Sequence, residues 1–260
     1  MNRSIVGQAA RGLAIFFAGC GLAQASSFSV NPVRVTLSAK QPVAAITVRN
    51  SSAEPTVVQL DTNSWSQEQG KDALMPSGDL LATPPIFTIP AGGTQIVRVG
   101  LRGARTSSAE VTYRLLLREV PPTKPQLQGL RVTLNVSMPV FVLPATPVAP
   151  DLKWRATRAA DGKVNVYATN SGNAHVQVGK LEVTAGGAAI GRREIAEYVL
   201  PGNTRNWTVD ASNIPATGTK LHISATSDAG AFESDIALEA DASATAMAST
   251  GGAPAVHAAP

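Results

Sequence analysis

The chain has 260 residues, 44% of them hydrophobic and 15% charged, and its 22 basic and 18 acidic side chains leave a formal net charge of +4. That length suffices for two small domains with separate cores. The Lys and Arg residues form no stripe or cluster, which argues against a nucleic-acid interface, and no apolar run beyond the first 25 residues is long enough for a membrane span.

Residues 1–25 have the pattern of a secretory signal. Arg3 and Arg11 are basic, and 13–22 (LAIFFAGCGL) is an apolar core too short to cross a bilayer. Ala23-Gln24-Ala25 supplies a small-x-small cleavage site, which predicts a mature start at Ser26 in an exported, periplasmic protein. Phe17-Ala18-Gly19-Cys20 is a competing lipoprotein signature, imperfect because a smaller aliphatic residue is wanted at Phe17. Cys20 is the only cysteine. Cleavage before Ser26 leaves none, which excludes disulfides, metal–thiolate sites and a cysteine nucleophile.

From there strands are predicted almost without interruption. Segment 28–37 (FSVNPVRVTL) reads as an edge strand, because Pro32 lacks the donor that a central ladder needs. Segments 43–49 and 56–65 alternate well and are separated by the turn residues NSSAEP. QEQGKD makes a hairpin tip, Thr83-Pro84-Pro85 reopens an extended segment at 86–89, and PAGG turns into 94–101. Segments 110–120 and 130–143 complete about seven strands in some 115 residues, the spacing of an immunoglobulin-like sandwich.

The last of these strands is unusually regular. Leu130, Val132, Leu134, Val136, Met138, Val140 and Val142 fall on one face; Arg131, Thr133, Asn135 and Ser137 fall on the other, which Pro139 and Phe141 finish. Thirteen positions in phase exceed the usual strand of about 5–6 residues. Periodicity alone allows two readings: a long internal strand, or a strand that fills its own core at one end and offers its apolar row to another protein at the other.

PATPVAPD marks a boundary, since three prolines in eight residues make a stiff connector. Beyond it, 152–157, 163–169, 175–184, 194–200, 205–209, 220–227 and 231–239 read as short strands, with DG, SGN and PGN as turns. The Ala/Ser/Gly/Pro-rich stretch 240–260 is read as disordered. The expected architecture is all-β: a domain over 26–144, a proline-rich hinge at 145–150, and a second sandwich over 151–239 meeting the first at an angle.

Catalysis finds little support in this pattern, and no cofactor or metal is implied. The three histidines are His175, His222 and His257, too few for a clustered imidazole site. A Ser-His-Asp set is not excluded by composition, but no nucleophile-elbow pattern accompanies His175 or His222. His175 follows a turn, where a structural role is the simpler account. Gly186-Gly187 and Gly191 belong to a hairpin-like cluster with no helix behind it, so they form no phosphate loop.

Several blocks, in order across both domains, resemble the periplasmic pilus-assembly chaperones typified by PapD. They are YRLLLREVPP followed by GLRVTLNVSMPVFVLP, then TPPIFTIPAGGTQIVRVGL, and in the second domain NVYATNSGNAHVQV with VLPGNTRNWTV. The resemblance covers about residues 28–239, and the SMPVFV wording leans toward the archaic, Csu-like branch. It implies a chaperone that binds incomplete immunoglobulin-like pilus subunits by lending its own last strand, then delivers them to an outer-membrane usher, with no nucleic acid and no stable membrane insertion. The lent residues would be Leu130, Val132, Leu134 and Val136. The family also grips the subunit's terminal carboxylate with a basic pair. Arg34 matches its arginine, whereas Pro139 stands where its lysine is expected; Arg98 is the candidate substitute, with Arg118 a weaker one. A surface adhesion module of tandem sandwiches, or an exported carbohydrate-binding module presenting an aromatic platform, are the alternatives on the same fold.

Overall fold

A computed structural model of the chain describes residues 28–103, 107–121, 132–159, 161, 163–211 and 215–240. The expected signal segment with Cys20, Leu130 of the apolar row, and the tail after Ala240 lie outside these residues. The described residues form seventeen strands and no helix, an all-β architecture of two sandwiches.

The first sandwich is made by β1 (Phe28–Asn31), β2 (Val35–Leu37), β3 (Val43–Asn50), β4 (Thr56–Glu68), β5 (Lys71–Pro76), β6 (Leu80–Thr83), β7 (Ile86–Ile89), β8 (Thr94–Leu101), β9 (Val111–Val120) and β10 (Asn135–Val142). One sheet runs β1-β3-β8-β6; the other runs β2-β10-β9-β4-β5, with β7 also paired to β4. Alternation decides which face is buried. Ile46 and Val48 of β3 meet Val97 and Val99 of β8 inside, with Val58, Leu115, Leu117, Met138 and Val140 supplied by the facing sheet.

Three sequence expectations change here. The single strand over 28–37 is two strands in different sheets: β1 pairs antiparallel with β3, and β2 pairs parallel with β10. Pro32 breaks the ladder between them, and the exposed stretch 31–34 carries the chain across the sandwich. Strands β5 and β6 are additional; five of the six β5 residues are exposed, so no buried alternation marks it. The long strand expected over 130–143 is regular only from Asn135, although a backbone bond from Glu119 N–H to the Leu134 carbonyl (3.0 Å) extends the ladder by one residue.

The second sandwich contains β11 (Leu152–Arg158), β12 (Val164–Asn170), β13 (Val176–Ala185), β14 (Ala188–Val199), β15 (Thr204–Val209), β16 (Lys220–Ser227) and β17 (Gly230–Ala240). They follow the order β14-β13-β16-β17-β11-β12-β15. The start of β17 pairs with β16 and its end with β11, so the ribbon folds over one core of Val164, Val166, Val178, Leu181, Val183, Trp207, Leu221 and Ile223. Strand β14 starts six residues before the expected 194, directly after a turn in which Gly186 and Gly187 have φ of 56° and 82°.

Candidate functional site

Strand β10 is unequally paired along its two edges. On one side β9 matches every residue from Asn135 to Val142. On the other side β2 matches only Val140, Phe141 and Val142. Among the described residues, 135–139 therefore present an unpaired sheet edge, a template for another strand. Side-chain burial follows the same division. Val132 is 56% exposed, Leu134 and Val136 are half-buried against the domain's core, and Met138 and Val140 are 1% and 0% exposed. Beside the free edge, Leu116, Arg118, Asn135, Val136 and Ser137 line an open groove of about 370 Å³.

The opposite face of β10 meets the second domain. Phe141 is fully buried with Trp65 and Leu200, and Tyr198 packs against this small cluster. The His175 ring stacks on Phe141 with centroids 3.5 Å apart and planes 4° from parallel. Its Nδ1 lies 2.7 Å from Oε1 of the buried Glu110, and its Nε2 lies 3.9 Å from Asp228 Oδ2. The ring stack and the Glu110 bond tie the two domains together, the structural role expected for a histidine at that turn.

Arg34 stands at the mouth of the same junction, where its Nη1 donates to Asp228 Oδ2 across the domains at 2.8 Å with the side chain 45% exposed. Arg98 lies elsewhere. It occupies the outward face of β8, opposite Ala45 and Thr83 in the four-stranded sheet, and no hydrogen bond or ion pair among the described residues joins it to Arg34. Arg118, the weaker candidate, pairs with Asp61 at 3.3 Å on the sheet face.

A cation that sequence reasoning missed stands beside Pro139. Arg114 of β9 is its direct cross-strand partner, and the guanidinium carbon sits 3.7 Å over the Trp65 ring and 5.6 Å from the Tyr198 ring centroid. Burial pulls the Arg114 guanidinium below its ordinary value, and Asp72, 3.9 Å away, works against that pull. The only sequence signal was the outward phase of Arg114 between buried Tyr113 and Leu115. Its match to Pro139 depends on a register set across the intervening loop.

The relatives fit this geometry. Residues 27–147 match the family described as pili and flagellar-assembly chaperone, PapD N-terminal domain. Over 119 residues the chain is 25% identical to chaperone protein CssC of Escherichia coli, a match covering 44% of this chain and 47% of that protein, so the alignment spans about half the length of the curated relative. Among solved structures, the complex of the chaperone CsuC with the tip subunit CsuE, from archaic Csu pili of Acinetobacter baumannii, is similar with a TM-score of 0.60 at 19% identity, covering 83% of this chain and 99% of that one. The E. coli chaperone DraB gives a TM-score of 0.54 at 20% identity over 83% and 98% of the two chains. These likenesses extend the shared fold across both sandwiches. The first sandwich is thus a PapD-type N-terminal domain of the pili and flagellar-assembly chaperones, matched over its whole length, and the two sandwiches together share the fold of the solved chaperones.

Proposed function

We propose that the chain is a periplasmic chaperone of an archaic, Csu-like chaperone–usher system, holding incomplete pilus subunits by strand donation and handing them to the usher. The observation that carries this reading is the free edge of β10, with side chains that pass from exposed to buried along one strand. An incoming subunit takes Leu130, Val132, Leu134 and Val136 into its open groove. Each side chain withdrawn from water contributes about 1.5–3 kcal/mol before ordering costs, less for those already half-buried here. Backbone bonds to the unpaired edge set the register. The structures of CsuC with CsuE and of the chaperone SafB with the pilin SafA from Salmonella enterica show relatives of this fold holding such partners. The carbohydrate-module alternative loses its platform, since Trp65 and Trp207 are buried and Trp154 packs against the second core.

The terminal carboxylate of the subunit is assigned to Arg34, with Arg114 as the second cation in place of the lysine that Pro139 replaces. Arg98 is the alternative second cation. Co-expression with candidate subunits from the same genomic neighbourhood, followed by purification from the periplasm, tests the whole reading; the mature protein should begin at Ser26. Arg34→Glu and Arg114→Gln should abolish or strongly reduce the co-purified complex while the chaperone stays folded, because each removes a carboxylate donor. Arg98→Glu should leave the complex intact. Loss with Arg98→Glu and retention with Arg114→Gln would return the second anchor to Arg98.

A further inference from the structure

Tyr198, on β14 of the second domain, brings a phenol among the cations of the first. Its ring meets Trp65 edge-on with centroids 5.4 Å apart and lies 5.6 Å from both Phe141 and His175. Its carbonyl accepts N–H bonds from Gln67 Nε2 at 2.8 Å and Arg205 Nε at 3.1 Å. Ring and backbone are thus held from several sides, while the residue remains half-buried.

Arg114 lies 5.6 Å from the ring centroid, and Arg34, held by Asp228 at 2.8 Å, is near enough for its charge to act on the phenol. Burial pushes the phenol above its ordinary value, and Asp228 adds to that against the opposing pull of Arg34 and Arg114. The hydroxyl therefore keeps its proton at neutral pH. A protonated phenol has its own hydrogen to donate.

The surroundings are already arranged for a carboxylate. Asp228 rests 2.8 Å from Arg34, and its other oxygen accepts the Gln177 N–H at 2.8 Å, which ties it to the second domain. A second carboxylate arriving at Arg34 meets the charge of Asp228, and a neutral donor offsets that repulsion without adding charge. We propose that Tyr198 is a further binding residue of the anchor, donating its phenol hydrogen to the subunit's terminal carboxylate between Arg34 and Arg114. The anchor is then a two-domain site, complete only when the second sandwich is docked on the first. This inference rests on the chaperone reading given above.

The test uses the full chaperone and the pilus subunit that co-purifies with it, with a second form of that subunit carrying two extra C-terminal glycines to displace its carboxylate. Tyr198→Phe keeps the ring and removes only the donor. It should bind the native subunit roughly tenfold or more weakly than wild type, as for a lost hydrogen bond to a charged group. It should bind the extended subunit as wild type does, with an unchanged melting temperature. Equal weakening toward both subunit forms, or no weakening toward the native one, would overturn the assignment of Tyr198. If wild-type chaperone captures no subunit, the chaperone reading itself fails and this inference falls with it.

Discussion

Val132 and Val140 belong to one alternating row of identical chemistry, yet one is 56% exposed and the other fully buried. A carboxylate at Val140 would lie unpaired in the core, so Val140→Asp should cost about 3 kcal/mol or more and unfold or gravely weaken the first domain. Val132→Asp should change the free protein's stability by less than about 1 kcal/mol and still block subunit binding. Leu134 was expected to behave like Val132, but it packs partly against the domain's own core, so Leu134→Asp should fall between the two. Urea unfolding of each variant beside a subunit pull-down measures both effects. Val132→Asp unfolding the protein as badly as Val140→Asp would rule out a strand available for lending. The row itself was plain in the sequence because alternation is local. The point at which it leaves the core was not, because burial depends on where the facing sheet ends.

Among the elements, the β4–β5 hairpin departs furthest from its sequence reading. QEQGKD was read as a tip, and in the structure that tip docks on the second domain. Gly70, with φ of 75°, turns the chain so that its carbonyl accepts from Arg205 Nη1 at 2.7 Å, while Asp72 accepts from Nη2. Gln67 holds the strand behind it, bonding the Tyr198 carbonyl and the Leu200 N–H. Arg205→Ala removes the donors from several partly buried acceptors at once, and should destabilise the junction by about 2–4 kcal/mol. Hydrogen exchange of residues 67–72 should rise in that variant; unchanged protection there would show that the tip is held by Gln67 alone. No periodicity marks β5 as a strand, since it is an exposed edge whose place comes from pairing with β4.

Across the whole molecule, the two sandwiches are joined by more than the connector. The Glu110 N–H bonds the Asn173 carbonyl at 2.9 Å, and Asn173 also reaches Ala149, Pro147 and Ser108. Gly172 permits this approach: a Cβ there would lie 2.3 Å from the Ala149 carbonyl oxygen and 2.5 Å from the Asp151 nitrogen. Gly172→Val should therefore push the loop off the connector, costing about 2 kcal/mol or more and lowering the melting midpoint by roughly 4–8 °C. Calorimetry should show one transition for the wild type and a broadened or divided one for Gly172→Val as the domains uncouple. A sharp, unshifted transition would mean that the aromatic cluster, the Arg34–Asp228 pair and the docked β4–β5 tip couple them without this loop.

The sequence by itself determined the all-β class, the apolar rows, the proline-rich connector and the family resemblance, because strand alternation, turn chemistry and motif wording are carried by residues close together in the chain. Only the tertiary structure decided that 28–37 divides between two sheets, that the β10 edge opens at 135–139, and that Arg114 rather than Arg98 stands beside Pro139. Those facts depend on register and on partners far apart in the chain. Arg34 and Asp228, separated by 194 positions, meet only because two independently patterned sandwiches pack against each other.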